Sequence, residues 1–267
     1  MKRIILKSTL ISEVSILTVI FLLFNPAAQA QGPPIFTDTP IMLGLEGRGL
    51  RTFGNYVSRE NGNSYVHPFA VPYNISSKWQ VGLIAPLVNV SPQNVNSRFG
   101  LGDVRVFTKY QLIQKDGKGK TFRTLIKLTE TFPTGNSSDN PPLGSGAYQT
   151  TIGLVNGYVT TQYGIYGEVA YNLTSDGLPD NLIYNLAFGL PLLPQQYPPK
   201  QLNLFLEFNG NYTTEERHAL FISPGVQWIG GKRFLLESGL QLPLIEKVPD
   251  KQKTNFRFRL GTRILIF

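Results

Sequence analysis

Two histidines, His67 and His218, and no cysteine stand in this chain, so disulfides, thiolate metal sites and Cys–His nucleophiles are excluded by composition. A histidine-based metal centre would need carboxylates to complete it, and neither histidine has them at ligand spacing, so no metal and no cofactor is expected. One set of residues could support nucleophilic catalysis: His218 beside Glu215 and Glu216, with Ser223 on the next strand. That is the triad chemistry of a hydrolase or acyltransferase working on lipid. No flanking signature accompanies it, and no catalytic residue is assigned. The run Lys115-Asp116-Gly117-Lys118-Gly119-Lys120 offers glycines and lysines but lacks phosphate-loop spacing and a following helix; it reads as a hairpin turn.

The spacing that recurs along the chain is two. Asp103, Arg105 and Lys109 alternate with Val104, Val106, Thr108 and Tyr110, while Arg123 and Lys127 oppose Phe122, Ile126 and Leu128. Glu168, Glu207 and Glu237 sit in the same way among apolar neighbours. In the last stretch, Thr254 to Phe267, Arg257, Arg259 and Arg263 oppose Phe256, Phe258, Leu260, Ile264 and Ile266. Strands of this kind have one apolar and one charged face. In a soluble sheet the apolar face packs on a core; in a membrane barrel it meets lipid and the charged face lines the lumen. In the barrel reading these eleven residues line a solute path, with bases on one wall and acids on another. The resulting transverse field can orient a polar or anionic solute. The competing reading is that a narrow barrel fills its interior by pairing the same charges.

About twelve stretches of roughly ten residues carry the alternation, the length a tilted strand needs to cross a bilayer. Connections alternate between short turns, such as Asn74 to Ser77 and Thr161 to Gln162, and mostly longer loops, such as Pro133 to Gly146; Leu193 to Lys200 breaks the pattern. These features predict an all-β fold, a transmembrane antiparallel up-and-down β-barrel of about 12 strands. The free edge of Thr254 to Phe267 then finds its partner in the first strand, which is poorly patterned because Gly44, Gly47, Gly49 and Gly54 interrupt it. Tyrosine and tryptophan near strand ends suit interfacial girdles. Pro68, Pro72, Pro86, Pro191, Pro224 and Pro243 fall inside or at the edge of these strands, which bulges, strand ends and lumen water must absorb. A soluble sandwich or lipocalin-like barrel would tolerate them more easily.

A charged fraction of 16% and a mean hydropathy of −0.06 over 267 residues exclude a polytopic helical membrane protein but not a barrel, whose two faces average out. The net charge of +8 is dispersed rather than clustered, so nucleic acid is not an expected partner. Lys2, Arg3 and Lys7, an apolar run from Val14 to Phe24, and Ala28 and Ala30 have the order of a secretory signal cleaved after Ala30. The expected organisation is a signal peptide over 1–30, a periplasmic N-terminal segment over 31–42 and a barrel over 43–267. Gly32 to Pro40 is too proline-rich for a strand, and is expected to be either mobile or a plug.

Gly32-Pro33-Pro34 followed by Thr37-Asp38-x-Pro40, then Gly100-Leu101-Gly102-Asp103 and Phe132-Pro133-Thr134-Gly135, resemble the transporter-like outer-membrane family labelled for the MetA pathway of phenol degradation. The resemblance implies an outer-membrane barrel with a role in uptake of aromatic compounds. The chain departs from the family pattern at Thr39, where a second acidic residue is more usual. Arg259, Gly261, Ile264, Ile266 and Phe267 resemble the C-terminal recognition signal of outer-membrane barrels, with Phe267 one residue beyond the pattern. The expected function is a channel or transporter passing small, aromatic or anionic, organic solutes by passive diffusion, with no catalytic step. A non-conducting structural or surface-binding barrel and a lipid-modifying enzyme are the alternatives. Expected partners are outer-membrane lipid, the barrel-assembly machinery and a small-molecule solute, with the oligomeric state left open.

Overall fold

The computed structural model of the protein describes residues 32–194 and 196–266; the expected signal peptide and Phe267 of the expected assembly signal lie outside the described residues. The chain forms β1 (Arg48–Arg59), β2 (Gly62–Asn74), β3 (Trp79–Pro92), β4 (Arg98–Leu101), β5 (Val104–Gly117), β6 (Lys120–Phe132) and β7 (Gln149–Thr160). It continues with β8 (Gly164–Thr174), β9 (Asn181–Pro191), β10 (Lys200–Thr213), β11 (His218–Gly230), β12 (Phe234–Lys247) and β13 (Thr254–Ile266). All are antiparallel, each pairing with its sequence neighbour except that β3 pairs with both β4 and β5, and β1 also pairs with β13 from Arg48↔Ile266 to Arg59↔Thr254. The sheet is thereby closed into a transmembrane barrel, and the edge of β13 is covered by β1 as the alternation required.

Thirteen strands make twelve staves. The upper half of β3 pairs with β4 (Leu87↔Leu101) and its lower half with β5 (Ile84↔Arg105), so β4 and β5 are one stave interrupted at Gly102 and Asp103. Pro86 of β3 faces the interruption, where Gly102 N–H donates to the Pro86 carbonyl at 2.9 Å. Other prolines also coincide with gaps. The β1–β2 ladder skips from Thr52↔Phe69 to Asn55↔Val66 beside Pro68, and the β11–β12 ladder skips from Ile222↔Leu242 to Gly225↔Gly239 beside Pro224. A residue without an N–H is accommodated where no ladder bond is drawn.

The outer face is apolar on nearly every stave: Val71, Leu83, Val106, Ile126, Leu154, Val169, Leu186, Leu204, Val226, Leu236 and Leu260 are all exposed. Aromatic pairs mark its two rims. On the rim where β1 begins, Trp228 meets Phe234 edge-on at 6.1 Å and Tyr158 meets Tyr163 at 6.2 Å. On the opposite rim Phe132 meets Tyr148 at 6.1 Å and Tyr56 meets Phe256 at 5.9 Å. Rings that are apolar in body and polar at the tip settle at such boundaries. The rim where β1 begins, called the lower rim below, has mostly short turns, with the expected exception of 192–199, whereas the upper rim carries 133–148 and 175–180.

Candidate functional site

The inner face is where side chains are buried, and its largest occupant is the chain's own N-terminal segment. Of residues 31–42, expected to be a periplasmic segment that is either mobile or a plug, Gly32, Pro34, Ile35, Thr37 and Pro40 are buried inside the barrel. Ile35 packs with Val159, Tyr166, Ala187 and Phe205, which project inward from β7, β8, β9 and β10. A proline-rich segment cannot join a ladder, so its peptide groups must find side-chain partners once they leave water. The inner wall supplies them.

Partners are sorted by charge. Glu207, fully buried on β10, accepts three successive backbone N–H bonds, from Ile35 at 2.8 Å, Phe36 at 3.1 Å and Thr37 at 2.6 Å. Glu168 of β8 accepts the next, from Asp38, at 3.2 Å. The carbonyls turn to the opposite arc: Ile35 O accepts from Arg51 at 2.8 Å and Arg259 at 2.5 Å, and Pro34 O accepts from Arg263 at 2.7 Å. Further down, Pro33 O accepts from Gln227 Nε2 at 2.7 Å and Gly32 O from the Tyr166 hydroxyl at 3.2 Å. Around the barrel the bases come from β13, β1, β5 and β6, and the acids from β8, β10 and β12. From Ile35 to Asp38 the N–H groups thus turn to the acidic arc, while the carbonyls of Pro34 and Ile35 turn to the cationic one. Hydrogen bonds to charged groups contribute about 1.5–3 kcal/mol each, more than neutral ones.

Asp38 carries the segment to the far side. Its carboxylate lies between two lysines, Lys109 Nζ at 2.5 Å and Lys127 Nζ at 2.8 Å, and also accepts from Thr39 N–H at 2.7 Å. Lys109 and Lys127 are register partners on β5 and β6, so without Asp38 two ammonium groups would face each other. Glu237 has the matching position on the other arc, held by Arg51 at 2.7 Å and Arg263 at 2.6 Å with its side chain fully enclosed. Room for the segment comes from inward glycines. A Cβ at Gly225 would stand 2.4 Å from Ile35 Cδ1, one at Gly239 2.6 Å from the Phe36 ring, and one at Gly157 2.7 Å from Pro40.

Of the residues read as lumen-lining, Lys109, Lys127, Glu168, Glu207, Arg259 and Arg263 contact this segment, and Glu237 holds Arg51 and Arg263, which also contact it. Arg105 and Arg257 lie nearer the upper rim, and neither has a carboxylate within ion-pair distance among the described residues. Arg257 stacks over Phe221 at 4.2 Å, with its buried Nε unpartnered. Arg123 reaches Asp116 at 3.4 Å near the lower rim. Asp103 is engaged elsewhere: its carboxylate accepts from Gly135 N–H at 3.0 Å and from Ser145 N–H at 2.7 Å, fastening the loop 133–148. The Gly100–Asp103 and Phe132–Gly135 motifs therefore form one unit, in which Thr134 Oγ1 also accepts from Val104 N–H at 2.9 Å and donates to Gly102 O at 3.1 Å.

Arg51, Tyr166 and Gln227 belong to the site and were not singled out from the sequence. Arg51 sits on the glycine-broken strand, where the alternation is too weak to read; Tyr166 and Gln227 carried only the inward parity. The candidate nucleophile pair is separated by the wall. Ser223 is buried on the inner face, bonded to Asn209 at 2.7 Å, while His218 faces outward and meets the Tyr184 hydroxyl at 2.6 Å.

No protein-family model matches the chain, and no curated protein matches it. Solved structures do. An outer-membrane channel from Pseudomonas putida F1 superposes with a TM-score of 0.66 at 12% identity, covering 89% of this chain and 100% of that one. The NanC porin superposes with a TM-score of 0.53 at 9% identity, covering 80% of this chain and 98% of that one. At such identities the likeness is one of fold.

Proposed function

We propose that this protein is an outer-membrane channel through which small organic solutes pass by diffusion, with a preference for anionic and aromatic ones. The observation that carries the reading is the charge-sorted lumen. A polar interior with cations on one arc and acids on the other suits a water-filled path, and its occupant is held by hydrogen bonds that can be released. Arg105 and Arg257 toward the upper rim, without an ion pair among the described residues, favour anions there. The resemblance to the phenol-degradation family supports aromatic solutes, and the similar channel and porin folds agree with an outer-membrane location. In this reading residues 1–30 are removed after Ala30, residues 31–42 form the plug, residues 43–267 the barrel, and the final strand with Phe267 is read by the assembly machinery. No step of bond chemistry is assigned to it.

Liposomes carrying the purified protein should take up benzoate and small sugars faster than protein-free liposomes. Equal rates would remove the reading. The filled lower lumen favours a second reading, a non-conducting barrel with a structural or surface-binding role, and equal rates are what it predicts.

A further inference from the structure

Lys109 and Lys127 together make a carboxylate site with a carboxylate already in it, supplied by Asp38 of the plug. We propose that Asp38 is an internal stand-in for the solute: an incoming carboxylate, aromatic ones above all, competes with Asp38 for the two lysines and thereby releases the N-terminal segment from the lumen. The proposal rests on the channel reading and names the solute class and the gate.

Three observations point to it. First, the two lysines are register partners whose like charges need an anion between them, and Asp38 is the acid that meets both. The nearest other acid, Glu168, is taken up by Asn185 at 2.8 Å and by the Asp38 N–H. Second, a cationic side chain stands between the site and the upper rim: Arg105 precedes Lys109 on the same inner face of β5 and has no ion-pair partner of its own among the described residues. An anion arriving at Arg105 meets the lysine pair next. Third, the residue between them on that face is Phe107, buried, with its ring 5.8 Å from Lys109 Nζ and pressed toward Gly82, where a Cβ would stand 2.3 Å from it. An aromatic wall beside two ammonium groups suits a benzoate-like solute: its ring lies on Phe107 and its carboxylate takes the place of that of Asp38.

Asp38 is the point at which such competition can act. The Glu207 and arginine contacts hold the backbone of residues 34–37 and can be copied by no small anion in one place, whereas the Asp38 contact is one carboxylate on two ammonium groups. Losing it exposes the lysine pair to mutual repulsion until the solute occupies it, so solute binding and plug release are linked reciprocally.

Single-channel recording of the purified protein in planar bilayers tests this, with millimolar sodium benzoate and its neutral counterpart benzyl alcohol as probes. Benzoate is expected to raise the open occupancy of the wild type about tenfold, the effect of one 1.4 kcal/mol step, and benzyl alcohol to leave it unchanged. Asp38→Asn should open about tenfold more often without any probe, while Asp38→Glu, which keeps the anion, should stay near wild type. Lys109→Gln combined with Lys127→Gln should abolish the response to benzoate. Openings that ignore benzoate, that answer equally to benzyl alcohol, or that persist in responding after both lysines are replaced would overturn the competition while leaving the channel standing. Silence of every form, Asp38→Asn included, would remove the channel and the gate together.

Discussion

Glu207 shows how much one side chain can decide. Its two carboxylate oxygens take up three consecutive peptide N–H groups that no ladder could satisfy. An unsatisfied buried donor costs about 1–3 kcal/mol, so Glu207→Ala should weaken docking of the segment by about 3–5 kcal/mol. The expected outcome is protease cleavage within residues 32–40 at a protease dose that leaves the wild type intact, with the barrel itself undigested; an equally resistant segment would contradict it. Gly225→Val acts from the opposite direction. Its Cβ would stand 2.4 Å from Ile35 Cδ1 and 3.0 Å from the Ser238 carbonyl, and the side chain of Ile35 must yield. Channel openings should become several-fold more frequent, with the folded barrel retained on gels. The inward charges were legible because a two-residue period needs only local sequence. The task of Asp38 was not, since Lys109 and Lys127 lie 71 and 89 residues away and only barrel closure brings them together.

The regularly alternating strands, β1 excepted, were read from the sequence with their faces correctly assigned, because lipid on one side and a polar lumen on the other impose opposite demands on alternate residues. The irregular elements were harder. Nothing local shows that β4 and β5 are two pieces of one stave, because the break is set by Pro86 on the neighbouring strand and by the loop that Asp103 fastens. The sequence placed Asp103 on the inward parity, and its carboxylate serves backbone groups of 133–148 because that loop folds back on the rim. Asp103→Ala removes the acceptor for Gly135 and Ser145 and should free the loop. Limited proteolysis should then cut between residues 133 and 148 about tenfold faster, the equivalent of a local loss of 1.4 kcal/mol. An unchanged cutting rate would show that the Thr134 bonds to Val104 and Gly102 hold the loop without Asp103.

The described molecule is a closed sheet with residues 32–40 inside it. Closure of β1 on β13 leaves the sheet without a full-length free edge, which is why the unboiled protein should migrate faster than its boiled form on gels, and why a band that does not shift on boiling would contradict the fold. The interior adds a second consequence of closure. Bases and acids scattered over the sequence are gathered into two facing arcs, and the peptide between them is oriented by both. Whether that peptide governs passage is open to a direct measurement, because the chain has no cysteine of its own. Thr37 Oγ1 and Asn209 Nδ2 are 3.4 Å apart, so the two positions are neighbours, and in a Thr37→Cys, Asn209→Cys double variant, where loss of free thiols on oxidation reports the disulfide, the plug is pinned to β10. The account predicts that single-channel openings of this double variant vanish on oxidation and return on reduction to the wild-type level. Openings that continue unchanged with the disulfide formed would contradict it.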